Sequence, residues 1–364
     1  MEKIVIWGTG EIANRVFNEC KTINQYELIG AIDNNACKQG KKFHGLNVYA
    51  PDFLLSNIVD KIVVLSNAFD EISRQIILNY PDYKQKVEDK NYFYKCSLIK
   101  RYDNTDNKEI IEVLEYLQSH NLSIFNYNFV DKYKNIEIDV QLDKNCNMFF
   151  VYHCGLKMFF PRKMSAREDV IRYYRSILVE QDEKSPHRYL SSNFDVAEDS
   201  IVVDVGTAEG NFAIEVIDKV KKIYLIEADD GWIEALKMTF ADYADKVSII
   251  NKYVTSYDEG KFAKLDSIIN EKVNFIKMDI EGNEWNALLG AEQLINASND
   301  IKLAICCYHS DFDQILIEDI MDKYNVNHSV TTGYMWFPYT CRQTYVSTQL
   351  NKGVVKGYKC LRGK

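Results

Sequence analysis

The sequence predicts an α/β protein with two Rossmann-like parallel sheets: a small one first, then a larger one whose last strands form an antiparallel hairpin. Three observations carry this. Apolar runs alternate with segments of helical spacing over residues 1–95 and again from about residue 199, the order expected of βαβ units. A glycine-bearing turn follows the first strand of each half, GTGEIA at residues 8–13 and GTAEGN at residues 206–211. Near the C-terminus, SVTTGYMWFPYT and KGVVKGYKC are two β-rich stretches with no helix between them, where a dinucleotide fold would keep adding βα units.

In the first half, residues 4–7 read as a strand, 11–20 as a helix and 27–32 as a strand ending at Asp33; DKIVVLSN is a third strand and 69–78 a helix. That is half a Rossmann fold, over domain 1–95. Residues 96–198 read as a connecting segment, a candidate lid. Within it IIEVLEYLQSH has amphipathic helical spacing, IEIDVQL reads as a strand, MFFVYH and LKMFFP pair as a hairpin around Cys154-Gly155, and Ser165 is placed to cap a helix over 166–179 with Glu168 at the capping-box position. Domain 199–364 then alternates strand and helix from SIVVDVG through NFIKMDIEG to IKLAICCYH, with a helix over 313–324. A parallel sheet closing in an antiparallel hairpin is the order of a class I methyltransferase fold.

The composition removes several function classes. With 364 residues and 46% of them hydrophobic, the chain can bury the cores of two or three domains. A net charge of -9 and a pI near 5.3 lack the basic surface of a nucleic-acid binder. The nine cysteines form no CxxC pair and no metal-ligand spacing, so they read as reduced thiols, the vicinal Cys306-Cys307 included. MEKIVIWG enters a strand at once, without the features of a signal peptide, and no run reaches the ~20 apolar residues of a membrane helix, so a cytoplasmic protein is expected.

The second glycine turn carries the chemistry. In DVGTAEGN, Asp204 ends the strand and Glu209 stands in the turn, two negative charges where a pyrophosphate would have to sit. They disfavour an anionic ligand and suit the amino group and sulfonium of S-adenosylmethionine. Glu227, ending the next strand in YLIEADD, is placed to accept both hydroxyls of a ribose. A cap for the following helix is the plainer role for Asp204 alone.

DVGTAEGNF, YLIEAD, KLDSII, FIKMDIEGNEWNALLGAEQLI and LAICCYH together resemble the FkbM family of S-adenosylmethionine-dependent methyltransferases, over about residues 199–313. The resemblance implies methyl transfer to a hydroxyl, of a sugar, glycan or polyketide. It implies that Asp204, Gly206, Thr207, Glu209, Gly210 and Asn211 surround the methionine end of the cofactor and that Glu227 holds its ribose; Lys252 and Tyr253 in INKYVTS fall near the adenine edge. In FIKMDIEGNEW, Lys277, Asp279 and Glu281 alternate along an extended run and are expected on one side. A carboxylate there is a candidate general base, or ligand of a divalent ion that lowers the hydroxyl's pKa. His309, ending the next strand, is a second candidate base, against the plainer role of a satisfied core histidine. In EQDEKSPHRY, residues 180–189, a solvated linker competes with closure of His187, Arg188 and Tyr189 over the site. The aromatic stretch at residues 333–345 is either a wall for sugar stacking or ordinary strand packing.

In the first turn, Gly8, Gly10 and Ala13 match G-x-G-x-x-G/A and Asp33 stands at the distance of a ribose-binding acid, which by spacing is a nicotinamide signature. The segment also resembles Rossmann-like N-terminal domains of bacterial polysaccharide-modifying enzymes, which implies nucleotide-sugar binding or assembly. The function expected is O-methylation of a sugar hydroxyl, on a nucleotide sugar or a surface glycan, by a possible homo-oligomer. An NAD-dependent sugar oxidoreductase and a non-catalytic nucleotide-sugar binder are the alternatives.

Overall fold

A computed structural model of the protein describes residues 2–338 and 348–360. They fall into two compact units, residues 2–126 and residues 127–338 with 350–360. The boundary therefore lies after Asn126, not near residue 95, and the expected connecting segment is shared between the two units.

The first unit contains β1 (Lys3–Trp7), α1 (Glu11–Glu19), β2 (Glu27–Ile32), β3 (Lys42–Phe43), β4 (Leu46–Tyr49), α2 (Phe53–Ser56), β5 (Lys61–Val64), α3 (Phe69–Asn79), β6 (Val87–Glu88), α4 (Tyr92–Arg101) and α5 (Lys108–Leu117). Its sheet has six strands in the order β3-β4-β2-β1-β5-β6, not the three expected. The added strands are two to four residues long, too short to show a period of two. Trp7, Ile32, Val64 and Ile76 meet in the core under this sheet. The tyrosine-rich segment after residue 90 is not a linker: in α4, Phe93, Tyr94 and Leu98 are buried. Asn107 caps α5, its side chain accepting from the amides of Glu109 and Ile110.

The second unit begins with a three-stranded antiparallel sheet, β7 (Gln141–Asp143), β8 (Met148–His153) and β9 (Leu156–Phe159), followed by α6 (Arg167–Glu180). The cap of α6 is Ala166, without a side-chain hydrogen bond, in place of the expected Ser165. The large sheet uses β10 (Ser200–Val205), β11 (Val220–Glu227), β12 (Val247–Asn251), β15 (Phe275–Met278), β16 (Asp300–Cys306), β17 (Asn327–Val330) and β18 (Val354–Cys360), in the order β12-β11-β10-β15-β16-β18-β17. Five strands are parallel, and β18 lies antiparallel between β16 and β17. A short parallel pair, β13 (Tyr253–Val254) and β14 (Phe262–Ala263), stands outside it. The helices are α7 (Asn211–Val216), α8 (Asp230–Thr239), α9 (Leu265–Ile268), α10 (Glu284–Leu289), α11 (Glu292–Ala297) and α12 (Asp313–Lys323).

Chain order decides where a ligand fits. The strands run outward from β10 to β11 and β12, then return to the other side of β10 as β15. The crevice at this reversal lies beyond the carboxyl ends of β10 and β15, the place where open α/β sheets take ligands. The helix expected through Leu294 is instead broken at Gly290, because a Cβ there would stand 2.1 Å from the carbonyl oxygen of Thr255. Gly290→Ala is expected to destabilise the protein by about 2–3 kcal/mol, since backbone must shift to admit the methyl; urea denaturation of the full chain measures it.

Candidate active site

At the end of β10 the chain turns through Gly206, Ala208 and Gly210, all with positive φ (72°, 46° and 84°). Gly206 is demanded by space as well: its Cβ would lie 1.9 Å from the carbonyl oxygen of Asp279, the residue that follows β15. The two loops thus cross backbone to backbone. Glu227, ending β11, holds the turn from the other side. Its Oε2 accepts from the amide of Ala208 at 2.9 Å, and its Oε1 accepts from the amides of Ala228 at 2.7 Å and Asp229 at 2.8 Å.

Over these strand ends opens a cavity of about 760 Å³, with Gly206, Ala208, Glu227, Lys252, Asp279 and Glu281 in its walls. Tyr173 of α6 and Trp232 of α8 close one side, and Tyr253, Tyr257 and Phe262 form a half-exposed aromatic rim with centroid separations of 5.4 and 5.6 Å. Asn283 and Asn286 complete the wall; Asn286 donates to the hydroxyl of Thr255, another wall residue. Of these aromatics and amides only Tyr253 stood out in the sequence, beside Lys252; Tyr257 and Phe262 come from the irregular segment around β13 and β14.

Several turn residues support the cavity without lining it. Asp204 is fully buried and faces the ammonium of Lys277 at 3.1 Å; Lys277 also donates to the carbonyl of Gly206 at 2.7 Å. Burial works against the charge on Lys277, but Asp204 and Asp279 outweigh it and raise its pKa. The negative charge of Asp204 is therefore spent beneath the turn and does not reach a ligand. Thr207 donates to the carbonyl of Asp204, Asn211 accepts from the amide of Phe212, and Gly210 packs on Leu236 and Phe240. Glu209 is buried and accepts from the hydroxyl of Tyr173 at 2.8 Å. Burial raises its pKa to about 7, and burial with the neighbouring charge of Glu209 raises that of Glu180 to about 8.

The expectation that Lys277, Asp279 and Glu281 share one side fails, because β15 stops at Met278 and the backbone turns left-handed at Glu281 (φ 60°). Lys277 lies under the ring of Tyr189 at 5.2 Å, whereas the Glu281 side chain is 80% exposed. Asp279 is the hub. Its carboxylate accepts from the hydroxyls of Tyr189 (2.9 Å) and Tyr308 (3.1 Å), and the Nε2 atoms of His187 and His309 stand at 3.4 and 3.6 Å. Residues 184–189 are thus no solvated linker: His187 and Tyr189 are buried against Asp279, while Arg188 turns away to pair with Glu215. The aromatic stretch from Gly333 reaches the same cluster through Phe337, 4.9 Å from Tyr308 and 5.4 Å from His309; its residues beyond 338 lie outside the described residues.

The charges run against Asp279 and His309 as proton acceptors. Burial alone would favour the acid form of Asp279, yet the hydrogen bond and charge of His187, with His309 and Lys277, hold it far below the usual carboxylate range. Burial disfavours the charged form of His309, but Glu284, with Nδ1 and Oε1 3.1 Å apart, and Asp279 raise its pKa to about 9. Asp279, Glu284 and His309 bring donor atoms within 4.8 Å of one another. Glu284 Oε2 is buried there without a hydrogen-bond partner among the described residues, and the imidazolium of His309 is the cation that these carboxylates face.

In the first unit, a cavity of about 420 Å³ lies beyond β1, β2 and β5, with Gly8, Gly10, Asp33 and Lys38 in its wall. Asp33 is already committed: Oδ2 accepts from the amide and hydroxyl of Thr9 and from Lys38, and Oδ1 from the amide of Asn35.

A seven-stranded sheet with β18 reversed, and a cavity at its crevice between a strand-end glutamate and a glycine turn, have the arrangement of a class I methyltransferase fold. Residues 204–335 match the family model described as the methyltransferase FkbM domain, and residues 1–86 match the C2185-like N-terminal domain. Within the second unit, residues 204–335 thus match a methyltransferase domain of FkbM type. No curated protein matches it. Among solved structures, methyltransferase FkbM from Methylobacillus flagellatus is similar at 18% identity, covering 98% of this chain and 90% of that one, with a TM-score of 0.44. A SAM-dependent methyltransferase from Aquifex aeolicus is similar at 14% identity, covering 52% and 96%, with a TM-score of 0.34. An rRNA methylase from Streptococcus thermophilus is similar at 18% identity, covering 45% and 90%, with a TM-score of 0.32.

The raised groups make stability fall with pH. His309, lifted from 6.5 to about 9, stabilises fully below about 6.5 and loses that contribution as the pH rises through about 9. Glu209 and Glu180, lifted from 4.5 to about 7 and about 8, stay protonated in the folded chain after the unfolded one has ionised, so stability also falls between 4.5 and those values. The melting temperature is expected to drop steadily from pH 6 to pH 9; scanning calorimetry showing a flat or rising trend would contradict these assignments.

Proposed function

We propose that the protein transfers the methyl group of S-adenosylmethionine to a hydroxyl oxygen of a sugar, on a nucleotide sugar or a glycan. The observation that carries this is the cavity spanning Glu227 and Asp279 across the glycine turn. In this reading Glu227 binds the ribose, Gly206 and Ala208 let the methionine end approach the backbone, and Lys252 with the aromatic rim encloses the base. Bound there, S-adenosylmethionine supplies an electrophilic methyl group. Asp279, kept anionic by two tyrosines and two histidines, sets a fixed negative charge against a sulfonium, and its low proton affinity keeps that charge in place. Glu281, exposed on the rim, takes the acceptor's proton and passes it to water. Half-buried Phe337, beside Tyr308 and His309, supports a sugar ring on the acceptor side.

Among the described residues no helix is long and apolar enough to cross a membrane, and a cytoplasmic site of action, with homo-oligomers, remains our proposal. In-line attack on the sulfonium methyl needs little beyond alignment of the acceptor oxygen and removal of its proton. An oxidoreductase is disfavoured because the glycine turn at the larger cavity lies in the stretch that matches a methyltransferase domain. The first unit's cavity is instead read as a site for a nucleotide or nucleotide sugar, which binding of UDP-sugars to Lys38→Ala tests: unchanged affinity, or none in the wild type, removes the idea.

Titration calorimetry tests the main reading. Wild type is expected to bind S-adenosylmethionine, and Glu227→Ala to bind it about tenfold or more weakly, through loss of a charge-assisted hydrogen bond. Glu281→Gln is expected to keep the affinity while slowing release of S-adenosylhomocysteine with an accepting sugar by about 100-fold. Absence of binding by the wild type would sink the reading.

A further inference from the structure

Glu284, the first residue of α10, has no exposure and is given no role in the reading of FIKMDIEGNEW, the motif that contains it. Its Oε1 gathers donors from two separate places. The amides of Ile280 and Gly282, in the turn after β15, donate to it at 2.8 and 3.3 Å. From beyond β16, His309 brings Nδ1 to 3.1 Å. The turn needs such a tie, because Glu281 and Gly282 are consecutively left-handed, at φ 60° and 91°, and only the second is a glycine. Contact is tight here: a Cβ on Gly282 would stand 3.2 Å from the Cβ of His309.

We propose that Glu284 is a positioning residue, clamping His309 to the 279–283 turn so that His309 presents Nε2 to Asp279 and Glu281 and both carboxylates keep their places on the cavity wall. The proposal rests on the methyl-transfer reading only for the purpose of that placement; the clamp itself is a property of the free protein. One carboxylate oxygen takes the two amides as hydrogen-bond donors and the imidazole as an ion-pair partner, so the turn and the imidazole are tied through it. His309 then points Nε2 at Asp279 (3.6 Å) and Glu281 (4.0 Å). It faces them as a charge, already protonated, which is why it is not the base.

The groups facing His309 are Glu284 from α10, Asp279 and Glu281 from the turn, Tyr308 beside it and Asp313 at the start of α12, with His187 and Lys277 beyond Asp279. Of these, Glu284 is the only carboxylate on the Nδ1 side within hydrogen-bonding distance among the described residues.

The test is the titration of His309 by heteronuclear NMR in the full chain, assigned with His309→Asn, in wild type and Glu284→Gln. The glutamine keeps an oxygen for the two amides but removes the charge. Wild type is expected to titrate near 9, and the variant about two pH units lower. S-adenosylhomocysteine affinity is expected to change less than about threefold, because Glu284 does not touch the cavity. An unchanged midpoint in the variant overturns the clamp. So does a wild-type midpoint at or below the ordinary histidine value, a measurement that stands even if the variant fails to fold. A wild type that titrates as expected yet binds no S-adenosylmethionine would instead remove the methyl-transfer reading and leave the clamp intact.

Discussion

The site depends on one contact: the backbone of Gly206 passing against the carbonyl of Asp279, closer than any side chain permits. Because β10 and β15 are neighbours in register, with Val205 opposite Met278, the loops leaving them must either diverge or cross. Glycine lets them cross. The turn that frames the cofactor end of the cavity and the residue that gathers the two histidines then belong to one rigid corner, and Lys277 fixes it from below by bonding to Gly206 and Asp204 together.

Around that corner the balance of charge is negative. Glu180, Glu209, Glu227, Asp279 and Glu281 approach the cavity, while Lys277, the buried ammonium of the cluster, is taken up by Asp204. A cation entering the cavity would meet the carboxylates of Glu227 and Asp279, and its charge would favour the ionised forms of Glu180 and Glu209 behind them. An anionic nucleotide would meet the reverse. Of the acids named in the sequence, Glu227 and Asp279 face the cavity, and Asp204 has gone to Lys277.

The fold was largely legible. Alternation of apolar runs locates the central strands to within a residue or two, and the paired β-rich stretches at the C-terminus foretell the reversed strand. Edge strands of two to four residues, and the break at Gly290, were not legible, because they arise from neighbours far along the chain. The site divides the same way. Gly206, Glu227, Lys252 and Asp279 were named by their places at strand ends. Tyr253 was named beside Lys252, whereas Tyr173, Trp232, Tyr257 and Phe262 look in the sequence like ordinary core residues. Glu284 was masked by its neighbour Glu281: two acids three residues apart in one turn, of which the sequence draws the eye to the exposed one while the buried one does the holding.

The reversed strand has a consequence for how the domain comes into being. β16 delivers Tyr308 and His309 to the site, yet the strand that covers its outer edge is β18, residues 354–360, which pairs with it from Asp300–Cys360 to Cys306–Val354. During synthesis the apolar run DIKLAIC is therefore an open β edge for some fifty residues of chain growth. Through that interval the nascent domain holds its cofactor turn and its central strands but not a finished sheet, and an open, apolar edge is the kind that captures a foreign strand. Completion of the sheet that carries Tyr308 and His309 and protection of its open edge arrive in the same event, the insertion of β18.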